Sequence, residues 1–305
     1  MKARFIFNPH SGSNRRNPHL RDRALEFIAH HGWDATVVAT ERPRHATELA
    51  RRAVDDGCEL VVAIGGDGTM NEVATGVVNT PATFGLIPCG SGNGLGRHLG
   101  IPGPGRGAVR ALAAGRPLAI DTGTVNRDPF FNVMGLGFEA DIAVRFGRLT
   151  SRGLAGYIRV GVPAFFAHRP EVCRVTHAGG TDSVEAFTLA VLNSDQYGND
   201  ARVAPGARVD DGQFDLVAVP RVNALRMAGL IWHLATQSFE RARPVTRLRG
   251  AHFVIERAKP GWIHTDGEPR AEASRLEVNL LPRSLRVMVP VRKPEPRTPT
   301  SAAAQ

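Results

Sequence analysis

Five apolar residues, Leu60-Val61-Val62-Ala63-Ile64, run without a break into Gly65-Gly66-Asp67-Gly68-Thr69-Met70-Asn71-Glu72-Val73. A strand that is apolar at every position has no face to offer water, so it belongs inside a sheet covered on both sides. Glycines follow at once, and then a helix predicted over 70–78. In that order, strand to glycine turn to helix, backbone N–H groups can approach a ligand closely and the helix N-terminus adds positive partial charge. The junction therefore suits phosphate. It is not a Walker loop, because no Gly-Lys-Ser/Thr ending is present, nor a dinucleotide fingerprint, because Gly-x-Gly-x-x-Gly is not met.

The same grammar repeats through the first 124 residues. Strands are predicted at 3–8, 35–40, 60–64 and 83–88, and helices at 19–31, 44–55, 70–78 and 107–114, the first with Leu20, Ala24, Phe27, Ile28 and His31 on one face. Alternating strands and helices imply an open parallel α/β sheet. Asn8-Pro9-His10-Ser11-Gly12, Thr40 and Pro88-Cys89-Gly90-Ser91-Gly92-Asn93 all follow strand ends. In a parallel sheet those ends share one edge, where α/β folds bind ligands, so the loops converge on one site.

After Asp121 the pattern changes to strands at 122–126, 130–135, 171–177, 184–193, 213–219, 252–257, 275–280 and 284–291, broken by helical stretches at 143–167 and 222–239. This half reads as a β-rich sandwich or barrel. Expected boundaries are 1–124 for an α/β domain, 125–292 for a β-rich domain and 293–305 for a disordered tail rich in Pro, Thr and Ala. Leu225, Ala228, Ile231, Trp232, Ala235 and Phe239 fall at helical spacing and read as a core stripe.

Composition bounds the function. With 42% hydrophobic and 22% charged residues the chain reads as a soluble globular protein. Its longest apolar stretches, 160–167 and 227–235, fall short of the ~20 residues of a membrane span. The start lacks a secretory h-region and cleavage site, so export is not expected. Cys58, Cys89 and Cys173 are scattered and odd in number, which suits a reducing cytoplasm. A formal charge of +9 favours an anionic partner. Arg145, Arg148, Arg152 and Arg159, interleaved with Phe146, Leu149, Leu154 and Tyr157, suit an anionic lipid surface. Nucleic acid is not expected, because no aromatic stacking set or reader motif accompanies the charge. The histidines show no zinc spacing.

Asn8-Pro9-His10-Ser11-Gly12, the run from Gly65 to Glu72, Gly90-Ser91-Gly92-Asn93 and the late Asp266-Gly267-Glu268-Pro269 together resemble the diacylglycerol kinase catalytic-domain family, which includes bacterial diacylglycerol kinases and the sphingosine and ceramide kinases. The likeness runs from Arg4 to about Val291 in the family's order. It implies an NAD-kinase-like α/β domain followed by a β-sandwich, with ATP in the cleft between them and its γ-phosphate passing to a lipid's primary hydroxyl. It places Asn8, Pro9, His10, Ser11, Gly12, Thr40, Gly65, Gly66, Asp67, Gly68, Thr69, Asn71, Glu72, Ser91, Gly92 and Asn93 at the nucleotide. Glu268 is the implied base, with Asp266 and Asp67 beside it in the catalytic set, Asp67 positioning the phosphates and their Mg2+. A structural Mg2+ is implied on Asp211 with the carbonyls of Arg208 and Gln213. Glu139 or Asp141 is expected to border the cleft. The implied setting is cytoplasmic, peripheral to the inner face of a membrane that supplies the lipid, with a homodimer left open.

Two other readings share these features. NAD kinases own the Gly-Gly-Asp-Gly-Thr loop and the two-domain plan, but Asn8-Pro9-x-Ser11-Gly12, Asn71-Glu72 and Asp266-Gly267-Glu268 look like the lipid branch. A non-catalytic sensor would be expected to lose the base or the loop aspartate, and both are present. Within the lipid branch, Ser91-Gly92-Asn93 and the stretch His45–Ala50 lean toward sphingoid acceptors.

Overall fold

In the computed structural model, which describes residues 1–11, 14, 19–104, 106–147, 161, 163–198 and 201–291, the apolar run at 60–64 lies mid-sheet. The first half comprises β1 (Lys2–Phe7), α1 (Leu20–His31), β2 (Asp34–Ala39), α2 (His45–Asp55), β3 (Leu60–Gly65), α3 (Asp67–Val77), β4 (Thr83–Pro88), α4 (Gly94–His98) and α5 (Arg106–Ala114). All pairings among these strands are parallel, in the order β2-β1-β3-β4. Along β3, Val61 and Ala63 face α2 and α3 through Ala50, Ala53, Met70 and Val73. Leu60, Val62 and Ile64 face α1 and α5 through Phe27, Ile28, Ala108 and Leu112. Each fully buried aliphatic side chain is worth roughly 2 kcal/mol against about 5–15 kcal/mol of net domain stability. A polar residue in β3 would be hard to carry, which is why the run is unbroken.

The second half comprises β5 (Arg116–Val125), β6 (Asp128–Phe130), β7 (Val133–Gly137), α6 (Phe138–Gly147), β8 (Glu171–His177), β9 (Gly180–Ala186), β10 (Thr188–Leu192), β11 (Gln196–Gly198), β12 (Ala201–Arg202), β13 (Phe214–Val219), α7 (Ala224–Ala235), β14 (Thr246–Gly250), β15 (His252–Glu256), β16 (Gly261–Thr265), β17 (Glu268–Glu272) and β18 (Arg275–Val289). An antiparallel sheet in the order β14-β13-β10-β7-β16-β17 packs over β15, β8 and β9 of the other sheet. Met134, Leu136, Leu189, Val191, Phe214 and Ile263 meet Cys173, Val175, Phe253, Ile255, Leu276 and Val278 between them. This is the expected sandwich.

The two halves are joined through β18. The strands predicted at 275–280 and 284–291 are one strand with a bulge between Leu281 and Leu285. Its beginning pairs antiparallel with β15, and Arg286 and Val287 pair in parallel with Thr83 and Phe84 of β4. β5 runs along the other edge for most of its length. The main sheet is thus parallel at one end and antiparallel at the other, and a cut at 124/125 would sever neither its strands nor its core cleanly. The strand predicted at 184–193 is two strands, because the chain leaves one sheet for the other at Phe187. The expected helix at 143–167 is described to Gly147, and residues 148–160, with Arg148, Leu149, Arg152, Leu154, Tyr157 and Arg159, lie outside the described residues, as does the expected tail at 293–305.

The stripe predicted as core on α7 is a correction. Leu230 and the following Phe239 are buried, but Leu225, Ile231 and Trp232 are 82%, 58% and 68% exposed. The helix is apolar on more of its circumference than one packed face can use.

Candidate active site

Strand order reverses between β1 and β3, so the loops leaving their carboxyl ends diverge and open a crevice there. Side-chain hydrogen bonds hold those two loops in register. Asn8 Nδ2 donates to Thr69 Oγ1 at 2.9 Å, and the Gly66 N–H donates to Ser11 Oγ at 3.3 Å. Buried Asn14 donates to the carbonyls of Asn8 and Ile64 at 2.7 and 3.2 Å. The third loop closes over them through backbone contact. The Cys89 N–H donates to the Gly65 carbonyl at 2.6 Å, and a Cβ on Gly90 would come within 2.9 Å of Gly66 Cα. Only glycine on both sides permits that approach.

Helix α3 starts at the floor of this crevice. Its cap residue Gly66 offers no side chain to the first-turn N–H groups, which leaves helix-terminal donors for an anion. Asp67 stands in that turn, yet its carboxylate accepts from Asn93 N–H at 2.9 Å and Gly94 N–H at 3.1 Å. Burial pushes the Asp67 carboxyl up from its usual range and the charge of Asp266 pushes the same way, against the lowering effect of those N–H bonds. Asp67 thus fastens the 90–94 loop to the 65–69 loop.

Glu268 reaches the same floor from the second half. β16 and β17 form a two-residue hairpin whose turn, Asp266-Gly267, has φ of 50° and 86°. Both positive angles are what a type I′ turn requires, and Asp-Gly supplies them. The turn sets exposed Glu268 over Gly68 so closely that a Cβ on Gly68 would fall on the Glu268 carboxylate. A carboxylate of one half therefore sits on the first turn of α3 in the other.

Asp266 does a different job from the catalytic one expected of it. Its buried carboxylate accepts from Phe131, Asn132 and Val133 N–H at 2.8–3.0 Å and from Asn71 Nδ2 at 2.7 Å. Burial raises its pKa while those donors favour the carboxylate. With both oxygens occupied it positions the hairpin rather than reacting.

The remaining expected residues divide. Thr40 is buried at the end of β2, its N–H on the Phe7 carbonyl at 2.9 Å. Pro9, His10, Ser91, Gly92 and Asn93 border the crevice, His10 and Ser91 exposed and Asn93 bonding its side chain to both backbone groups of Gly90. Gly12 lies outside the described residues. Glu72 is a correction. Its carboxylate caps α2, accepting from Arg44 N–H at 2.9 Å and Ala46 N–H at 3.1 Å. Arg44 itself has a left-handed φ of 64° and supplies no side-chain cap, so Glu72 does so from the next helix. The stretch 45–50 also says nothing of the acceptor, because Ala46, Leu49 and Ala50 point into the core.

The magnesium trio fits poorly as placed. Asp211 Oδ2 pairs with Arg249 at 2.8 Å and its Oδ1 accepts the Gln213 N–H at 3.1 Å, while Arg208 pairs with Asp210 at 3.1 Å. Among the described residues no three His, Cys, Asp or Glu side chains group as a metal site. Guanidinium groups already pair with both carboxylates of the turn, Asp210 and Asp211, so the turn is a salt-bridged corner against Asp121, whose Oδ2 accepts the Gly212 N–H at 2.8 Å.

One grouping escaped sequence reading, although Glu139, expected to border the cleft, belongs to it. Beneath the hairpin, Gly267 N–H donates to His264 Nδ1 at 3.3 Å, which leaves Nε2 protonated toward Tyr197 Oη at 3.1 Å, and Tyr197 in turn donates to Glu139. Glu139 Oε1 is buried without a hydrogen-bond partner among the described residues. Asp141 instead pairs with His168 at 2.7 Å and, with Val144, Arg145 and Trp262, lines a cavity of about 390 Å³. His264, Tyr197 and Glu139 are separated by dozens of residues, and no spacing rule links them; the strand over Gly261–Thr265, which was not among those expected, is what sets His264 opposite inward Ile263.

Comparison with known proteins agrees with this layout. Residues 2–125 match the diacylglycerol kinase catalytic domain and residues 132–289 the YegS C-terminal NAD kinase beta sandwich-like domain. A diacylglycerol kinase of Staphylococcus aureus (strain bovine RF122) is 30% identical over 274 residues, 88% of this chain and 86% of that protein. A solved Bacillus anthracis str. Sterne structure superposes with a TM-score of 0.78 at 20% identity, covering 94% of this chain and 95% of that one. Another, of a diacylglycerol kinase from the same organism, gives 0.69 at 18% identity over 94% and 96%. At those identities the structural likeness speaks to the fold.

Proposed function

The chain belongs to the diacylglycerol kinase catalytic-domain family and is a lipid kinase, and from that premise we propose that it transfers the γ-phosphate of MgATP to the primary hydroxyl of a diacylglycerol at the cytoplasmic face of a membrane. The observation that carries this reading is Glu268 set over Gly68 at the start of α3. Phosphates resting on the first-turn N–H groups of α3 would hold the γ-phosphorus beside that carboxylate.

Glu268 takes the proton of the attacking hydroxyl as its oxygen bonds to the γ-phosphorus. The bond from that phosphorus to the β–γ bridging oxygen breaks, and ADP leaves with the electron pair. Asp67 would help hold a Mg2+ bound with the nucleotide phosphates, and that ion would supply positive charge to offset what gathers on the β-phosphate. The Asn8, Ser11 and Thr69 side chains, locked together, and the Gly66–Gly90 contact keep the phosphate loop from moving as charge shifts.

Diacylglycerol is preferred to a sphingoid base because the curated relative carries that name. The test supplies labelled γ-phosphate with diacylglycerol, sphingosine and ceramide in turn, and NAD in a parallel reaction. Label in phosphatidic acid, reduced by ~10²-fold or more in Glu268→Gln with ATP binding kept, is the expected result. Label in NADP, or full turnover by Glu268→Gln, would overturn it.

A further inference from the structure

The outer face of the second sheet is unusually greasy. Of the large apolar side chains exposed among the described residues, Leu225, Ile231 and Trp232 lie on α7, Phe166 lies beside its start and Trp262 faces outward from β16. Phe166 is linked to the helix through His168, whose carbonyl accepts from Arg221 at 2.9 Å. Helix α7 packs on this sheet through Leu230, with Met227 and Leu234, against Ala190, Leu192 and Val217. Its opposite arc is left uncovered.

The charge around that arc is mostly positive, with one exposed acid at its end, Glu240, 3.7 Å from Arg241. No Asp or Glu occurs from Arg221 through Phe239, and Arg221, Arg226, Arg241 and Arg243 are exposed around the helix. A Trp- and Leu-bearing arc flanked by arginines is the composition of a helix that lies in a membrane interface, with anionic headgroups meeting the guanidinium groups. At 12 residues the helix is too short to cross a bilayer. A second copy fits less well, since a two-fold contact through α7 would set these arginines near their own counterparts.

The same face leads to the acceptor side of the active site. Tyr197 packs against the cluster beneath α7, and its hydroxyl meets His264, which holds the Gly267 N–H next to Glu268. The cavity beside Trp262 is on this side as well.

We propose that α7 is an interfacial anchor: Leu225, Ile231 and Trp232 enter the acyl region of an anionic bilayer while Arg221, Arg226 and Arg241 engage its lipid phosphates. The proposal deepens the lipid-kinase reading by naming the surface that meets the membrane, but its test needs neither ATP nor acceptor. The full chain is sedimented with vesicles of phosphatidylcholine alone and of phosphatidylcholine mixed with phosphatidylglycerol, beside the variants Leu225→Glu/Trp232→Glu and Arg226→Glu. The wild type should bind the mixed vesicles and release them as salt rises. The apolar double variant should bind them at least ~10-fold more weakly, and Arg226→Glu should lose part of the preference for the anionic lipid. All should keep wild-type turnover of short-chain diacylglycerol in detergent micelles, since the changed side chains are exposed and outside the site. Equal vesicle binding by wild type and double variant, or none by the wild type, overturns the proposal. So does a wild-type dimer in velocity sedimentation that the double variant splits without loss of vesicle binding, because the face would then belong to a second copy. Failure of the kinase reading would show separately, as absence of labelled lipid whatever the vesicles do.

Discussion

Asn71 Nδ2 donates to Asp266 Oδ2 at 2.7 Å, so the helix that begins at the phosphate loop also holds the turn that carries Glu268. The first turns of α3 and the hairpin that carries Glu268 are tied directly to one another by that bond. Asn71→Ala should cost about 1–3 kcal/mol of stability, the range for losing one partner of a buried carboxylate. It should lower turnover further than nucleotide affinity, because it loosens Glu268 and leaves the first turn of α3 in place. Asn71→Asp would face a carboxylate with a carboxylate, and about 3 kcal/mol or more should be lost. Thermal melts together with kcat and KM for ATP check both.

Gly68→Ala separates fold from function. The three atoms nearest the added methyl group all belong to the end of the Glu268 side chain, so that side chain yields and the fold stands. Alanine also favours a helix over glycine by about 1 kcal/mol, so the melting temperature should hold or rise. Turnover should fall ~10-fold or more, because a displacement of this size at a reacting group is costly. Wild-type turnover with the methyl group present would place Glu268 away from the reaction.

The raised carboxyl of Asp67 makes a signed prediction for acid stability. A carboxyl whose folded pKa lies above its unfolded one binds its proton more tightly in the folded chain. Its contribution is therefore most unfavourable above the raised value and improves as pH falls through it, levelling off below the unfolded value. Urea unfolding of wild type and Asp67→Asn from about pH 7 to about pH 4 should show the wild type gaining on the variant as the pH drops. A wild type that instead loses ground would mean that the N–H groups of Asn93 and Gly94 outweigh burial.

Local pattern carried the first half well. An unbroken apolar strand can only be interior, and glycine turns at the ends of parallel strands can only share an edge, so 60–69, 8–11 and 88–93 were legible as one site. Three kinds of fact were not. Glu72 beside the loop looks like part of it, but a helix rotates its side chain about 100° per residue and carries it round to α2. Asp266 and Glu268 are near neighbours in sequence, yet strand alternation and the I′ turn bury one carboxylate among four donors and leave the other exposed. The stripe on α7 has the spacing of a core helix, and periodicity alone does not say that the sheet beneath it has room for one arc only.

The long strand β18 matters to the order in which the chain can be assembled during synthesis. The α/β half leaves the ribosome with β4 as an open edge and β5 lacking its principal neighbour, and the strand that closes both emerges after every other described strand. An exposed sheet edge invites pairing with other chains, and long-range strand contacts form slowly. Removing β18 would thus harm the α/β half first, although almost two hundred residues of sequence separate the two.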